Sequence, residues 1–209
     1  MGVIISTIVY ISLYAEHYRI TGMSECKECN SILDKVMDEL GDTQMQREEY
    51  AYVASFLKES NFLVFGTGHD SKYWKCVNSR GNTVFLEDVD EWIEFYGDGV
   101  LKVTYNTVMS EYEKLMKLYL KGNTSKLEMR LPKEIRDTKW DVIFVDGPVG
   151  NCYETAPGRM QSIFTAYQLA NSKTHVFVHD CDRPVEDLYT SKIFKNKVKD
   201  LVKLRHLRK

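Results

Sequence analysis

Carboxylates and glycines in this chain fall where apolar runs end. The run Asn61 to Phe65 breaks into Gly66-Thr67-Gly68-His69-Asp70-Ser71, and the run Thr83 to Leu86 ends in Glu87 and Asp88. A third, Trp140 to Val145, ends in Asp146-Gly147-Pro148, and a fourth, His175 to Val178, in His179-Asp180-Cys181-Asp182-Arg183. Short apolar runs punctuated in this way read as buried parallel strands, and ligands in such sheets bind beyond the carboxyl ends of the strands. These break points therefore converge on one crevice, rich in carboxylates.

Gly66 and Gly68 let the backbone turn sharply and approach a ligand, and a helix follows, capped by Asp70 or Ser71. Read alone, Gly-x-Gly also fits a plain strand-to-helix turn. Glu87 or Asp88, at the end of the next strand, is placed to accept two hydrogen bonds from ribose hydroxyls. The pattern is not a dinucleotide fingerprint, because Ser71 stands where the third glycine would fall and no Gly-Lys-Ser/Thr follows. Asp70 lies where a pyrophosphate would sit, which disfavours phosphate and favours a cation. S-adenosylmethionine has a ribose, a sulfonium and no phosphate. Its expected contacts are Gly66, Thr67, Gly68, His69, Asp70, Ser71, Glu87, Asp88 and Asp146.

Methyl transfer is an in-line displacement, in which positioning alone supplies roughly 7 to 11 kcal/mol. A sugar hydroxyl acceptor needs a base or a divalent metal besides. Asp146, His179 and Asp180 are the expected catalytic residues, and Asp146, Asp180 and Asp182 form an oxygen-rich set for a hard cation. His179 serves either as base or as a ligand for a softer metal. The plainer alternatives are a turn started by Asp146 and a helix cap or Arg183 pair at Asp180 or Asp182. Tyr153, Arg159 and Arg183 are expected at the acceptor, although Arg159 at a helix start also suits tying down its loop. Trp74 and Trp92 sit at helical positions and read as core.

The elements that must carry these residues follow from periodicity. Helices are expected over Ser24 to Leu40 and Gln44 to Lys58, then alternating strands and helices from Asn61, with a strand at Leu101 to Tyr105 and a helix at Ser110 to Leu120. Gly122 to Arg130 reads as a polar connector with room for a short strand, Met160 to Ala170 as a helix, and the basic end, Lys192 to Lys209, as a solvated helix and edge strand. This is a Rossmann-like α/β core, with residues 1–60 as an extension packed on a core of 61–209 in one structural domain.

The 209 residues suffice for a core without staples, and a net charge of -2 argues against a dedicated nucleic-acid surface. Five scattered cysteines do not make a disulfide framework and read as reduced thiols, and Cys26 and Cys29 lack the second pair of a zinc site. The apolar, β-branched segment Gly2 to Ala15 is short for a membrane span and has no basic start, so it reads as a strand packing on the domain. The chain reads as soluble, with cytoplasmic and Golgi-associated locations both open.

The blocks NFLVFGTGHDSKYW, GNTVFLEDVDEW, WDVIFVDGP, APGRMQSIFTA and VFVHDCDRPVED, in this order, closely resemble the glucuronoxylan 4-O-methyltransferase family of plant polysaccharide biosynthesis. The resemblance covers Asn61 to about Asp187 and extends weakly to LVKLRHL. It implies a class I methyltransferase fold, S-adenosylmethionine-dependent O-methylation of a glycan, and a divalent-metal requirement in the plant members. By position, it implies that Gly66, Gly68 and Asp70 line the methionine side of the cofactor and Glu87 holds the ribose. Asp146, His179, Asp180 and Asp182 then surround the transfer point. Thr67 replaces the leucine usual in plant members, and VGNCYET replaces their usual loop, so the acceptor stays open between a uronic acid and a neutral deoxysugar such as rhamnose. The competing readings are a catechol-type small-molecule O-methyltransferase and a non-catalytic scaffold associated with glycosyltransferases.

Overall fold

A computed structural model describes residues 27–40, 45–150 and 154–209. The strand expected at Gly2 to Ala15, Cys26 and the acceptor residue Tyr153 lie outside the described residues. Helices α1 (Lys27–Leu40) and α2 (Arg47–Ala54) precede β1 (Asn61–Phe65), α3 (Ser71–Val77), β2 (Asn82–Glu87), α4 (Asp90–Tyr96) and β3 (Val100–Lys102). A 3-10 turn at Met109–Glu111 then leads into α5 (Tyr112–Leu120), α6 (Lys133–Asp137), β4 (Val142–Val145) and α7 (Met160–Leu169). The chain continues through β5 (His175–Val178), α8 (Pro184–Ile193), β6 (Asn196–Leu201) and β7 (Leu204–Arg208).

The strands form one sheet in the order β3-β2-β1-β4-β5-β7-β6. β3 to β5 are parallel throughout, while β7 pairs antiparallel with both β5 and β6. This is the expected Rossmann-like class I methyltransferase architecture, with the order reversing direction at β1 and β4, where such sheets open a crevice. β1, β4 and β5 are apolar almost throughout because both their faces are covered. Leu63, Phe65, Ile143, Val145, Val176 and Val178 point to one face, where Leu115, Met116, Ile163, Ala166 and Tyr189 cover them. Phe62, Val64, Phe144, Phe177 and Leu204 point to the other, under Leu33, Val36, Tyr50, Val53 and Trp74. The period of two in the strands thus separates the core into two layers.

Several expectations change. The strand expected at Leu101 to Tyr105 is only Val100–Lys102, Gly122 to Arg130 holds no strand, and α6 is additional, while α8 is the helix that Asp180 or Asp182 could have capped, with Arg183 at its N-cap instead. The basic end supplies the expected edge strand, β6, but holds no helix beyond the last turn of α8: β6 and β7 form a hairpin, and β7 lies inside the sheet with Leu204, His206 and Leu207 buried. Its alternating apolar positions serve a strand with covered faces, while the lysines of β6 stay at the solvent edge. The cysteine reading is corrected too, since Cys29 of α1 and Cys76 of α3 form a disulfide. They lie 47 positions apart in the sequence, and the docking of α1 against α3 brings them together. Trp74 is core, as expected, whereas Trp92 is only partly covered.

Candidate active site

Register aligns the break points. Phe65 pairs with Leu86 on one side and with Val145 on the other, and Val145 pairs with Val178. Gly66, Glu87, Asp146 and His179 therefore emerge side by side at the carboxyl edge. Gly66 has φ +100°, and a Cβ there would stand 3.0 Å from the Gly147 backbone; a Cβ on Gly147 would meet Gly66 Cα at 2.6 Å. The close approach that glycine allows at position 66 is thus to the neighbouring turn, not only to a ligand.

Glu87 fastens the glycine turn. Its Oε2 accepts from the Thr67 backbone N–H and hydroxyl, both at 2.7 Å, while its Oε1 accepts from the N–H groups of Asp88 and Val89. The expected ribose reader therefore has four donors of its own chain. Burial, with the Glu87 charge beside it, pushes the Asp88 carboxyl up to about 6. Ser71 receives the Gly68 N–H on its hydroxyl at 3.0 Å. Asp70, expected as a cap, makes no side-chain cap bond; its Oδ2 accepts from Trp74 Nε1 at 2.9 Å and from the Tyr50 hydroxyl at 3.3 Å. His69 lines the cleft at the outer side of that turn, near Glu39 and with its ring against Trp92.

A cleft of about 400 Å³ runs from this turn to the end of β4, lined by Tyr50, Gly66, Asp70, Trp92, Asp146 and Asp180 among others. Asp70 and Asp146 both face it. Burial and the Asp146 charge push the Asp70 carboxyl up to about 6. Burial also opposes ionisation of Asp146, but Arg159 and His179 outweigh it and hold that carboxyl below its ordinary range.

Arg159 is the hub behind Asp146. It starts α7, is buried, and reaches Asp146 Oδ1 with Nη2 at 3.1 Å, Asp180 Oδ2 with Nη1 at 2.8 Å and Glu186 Oε1 with Nε at 3.9 Å. It also donates to the carbonyls of Pro148 and His179. One guanidinium therefore ties the ends of β4 and β5 and the start of α8 together. Arg159 thus holds its loop and the carboxylates, the second role its position allowed. Arg183 pairs with Asp180 at 3.0 Å and lines the cleft. Glu186, which the sequence reading missed, lies one helical turn past Arg183 and is buried against Arg159; its pattern resembled an ordinary acidic first helical turn. Tyr50, also missed, comes from the helix before β1, with no local signal linking it to Asp70.

His179 Nδ1 lies 3.2 Å from Asp146 Oδ1 and 3.6 Å from Asp180 Oδ1. The ring is only 2% exposed and stands behind Asp146, whose own side chain is 23% exposed. Burial disfavours the imidazolium, but the two carboxylates raise its pKa overall. Asp146, His179 and Asp180 each offer one donor atom, all within 4.8 Å of one another. Two carboxylates and an imidazole suit a divalent cation, and Arg159 would grip the carboxylates from behind. Asp182 is exposed and stands outside this set.

The family model described as IRX15/IRX15L/GXM matches residues 48–207. Glucuronoxylan 4-O-methyltransferase 3 of Arabidopsis thaliana is 40% identical over 151 residues, covering 63% of this chain and 50% of that protein. Arabinogalactan O-methyltransferase 2 of the same plant is 37% identical over 198 residues, covering 78% and 66%. Protein IRREGULAR XYLEM 15, also from Arabidopsis thaliana, is 40% identical over 153 residues, covering 61% and 47%. The chain thus spans about half to two thirds of the length of these relatives.

Proposed function

The chain belongs to the IRX15/IRX15L/GXM family, and on that premise we propose that it is an S-adenosylmethionine-dependent O-methyltransferase acting on a sugar hydroxyl of a polysaccharide. The observation that carries the reading is the cleft between the glycine turn and Asp146, with Asp70 facing it at one end and Asp146 and Asp180 at the other. S-adenosylmethionine, when bound, supplies an electrophilic methyl group on a positively charged sulfur. The turn Gly66 to Ser71 forms the floor, and Asp70 with Tyr50 and Trp74 gives a cation a half-buried carboxylate. In this reading Glu87 exchanges some of its internal donors for the ribose, or leaves the ribose to Asp88.

Asp146 is the residue that meets the acceptor hydroxyl. Its low pKa makes it a weak base, which suffices if the proton leaves late, when the oxygen has already begun to bond carbon and has become strongly acidic. His179 and Arg159 hold the carboxylate in place; neither needs to touch the acceptor. A divalent ion held by Asp146, His179 and Asp180 would lower the pKa of a hydroxyl that it binds. The exposed rim residue Val149 supports an open groove for a chain-like acceptor over the closed pocket of a catechol-type enzyme. Arg183, partly exposed, is placed for an acceptor carboxylate if the sugar is a uronic acid.

The Cys29–Cys76 disulfide supports a reading in which the protein resides in an oxidising compartment. No helix among the described residues is long and apolar enough to cross a membrane. Calorimetry with S-adenosylmethionine and a methyl-transfer screen over glucuronoxylan and arabinogalactan test the function. Absence of binding sinks the enzyme reading and leaves the scaffold reading. Asp146→Asn is expected to lower turnover by about 100-fold with cofactor affinity nearly unchanged; equal loss of both would make Asp146 a cofactor residue.

A further inference from the structure

Helix α4 buries none of its residues although it carries Trp92, Phe95 and Tyr96. Trp92 and Tyr96, one turn apart, lie nearly parallel, with centroids 6.0 Å apart and planes 18° from each other. Phe95 turns its ring across both, 4.9 Å from Tyr96 and 6.1 Å from Trp92. It is 66% exposed, the largest value among the described exposed apolar side chains. A surface helix ordinarily lays its apolar stripe on the core, and a contiguous aromatic patch left in water marks a binding surface.

Two observations identify the occupant. The patch is continuous with the cleft, because Trp92 lines the cleft and meets the ring of His69 at 5.5 Å. Asp146 lines the same cleft. The same helix carries Asp90, Glu91 and Glu94, with Lys102 on Asp90 and the Lys72 ammonium over one face of the Phe95 ring, 5.7 Å from its centroid. That acidic flank repels polyanions but accepts hydrogen bonds from hydroxyls. Rings that offer flat negative faces, bordered by carboxylates, suit the C–H faces and hydroxyl edges of uncharged sugars.

We propose that Trp92, Phe95 and Tyr96 form a stacking subsite for uncharged pyranose residues of the acceptor chain, adjoining the sugar that is methylated. The inference rests on the polysaccharide reading above and adds a division of labour. Neutral neighbouring sugars are held by α4, and any acid group is held elsewhere.

The test uses the full chain and Phe95→Ala, a side chain exposed enough for the fold to survive its loss, with circular dichroism as the check. Affinity electrophoresis in gels containing glucuronoxylan or arabinogalactan reads binding without turnover. Phe95→Ala is expected to weaken retardation and to raise the polysaccharide KM by about tenfold, as loss of an aromatic contact would. The effect should persist at about 0.5 M salt, where charge contacts are screened, and S-adenosylmethionine affinity should stay within about twofold. Unchanged retardation and KM would overturn the proposal, as would loss of cofactor affinity, which would assign the patch to the cofactor. A wild-type dimer dissolved by Phe95→Ala would also overturn it, making the face an interface between copies. If the wild type binds no S-adenosylmethionine yet shows Phe95-dependent retardation, the enzyme reading fails while the sugar subsite stands.

Discussion

Asp70 and Asp146 face the same cleft in opposite electrostatic states. Among the described residues Asp70 pairs with no cation, and burial pushes its carboxyl up to about 6, whereas Arg159 beside Asp146 holds that carboxyl below its ordinary range. Because the folded pKa of Asp70 lies above its ordinary value, its ionisation opposes folding. Its contribution to stability is full below about 4 and is lost as the pH rises to about 6. A bound cation relieves that cost, so cofactor affinity should fall as the pH drops below about 6 and Asp70 takes up a proton. Calorimetric titrations at several pH values check this, and Asp70→Asn should weaken binding by about tenfold and flatten the pH profile. An unchanged profile in the variant would place the titrating group elsewhere. Arg159→Met would leave Asp146, Asp180 and Glu186 crowded together without their shared cation. Urea unfolding should then show a loss of about 3–5 kcal/mol. Glu87, Asp146 and Asp180 were legible because each closely follows an apolar run, and Arg159 was legible as a residue tying down its loop, but its place at the centre of three carboxylates was not. Arg159 lies in a loop rich in glycine and proline, and its partners come from three separate elements.

At the scale of elements, the strand ends were readable because parallel strands covered on both faces must be apolar and must stop at polar or glycine residues. The β6–β7 hairpin was not, since its order in the sheet depends on pairings with β5 that no local pattern reports. The disulfide is a similar case. It closes a loop spanning 47 positions around β1 and the glycine turn, and chain entropy alone gives it about 4 kcal/mol. Replacing both Cys29 and Cys76 by serine should lower the urea midpoint accordingly, and reductant should do the same to the wild type but not to the variant. If reductant leaves the wild type unchanged, the bond carries no stability.

For the whole molecule, α1 and α2 are structural partners of the sheet. Tyr50 and Val53 cover Phe62, Val64, Phe144 and Phe177, and Glu49 accepts from the backbone N–H of Lys203 near the far end of the chain. Expression of residues 61–209 alone should therefore yield a chain that exposes this apolar face, binds a hydrophobic dye and unfolds without a sharp transition. Cooperative unfolding of that fragment would instead show that residues 1–60 are an independent addition. The sequence reading drew residues 1–60 as an extension packed on the core, because its functional motifs begin at Asn61; it did not foresee that Tyr50 lines the cleft.

The contact between Gly66 and Gly147 has a genetic consequence. Most overpacked pairs can be rescued by shrinking the partner, but here both positions already carry the smallest side chain. Gly147→Ala, expected to cost about 1–3 kcal/mol, therefore has no size-compensating suppressor at position 66. A selection for revertants should return Gly147 itself or distant stabilising changes. The two turns that bring the proposed cofactor floor and Asp146 together thus form a point at which the lineage has no neighbouring solution to drift into.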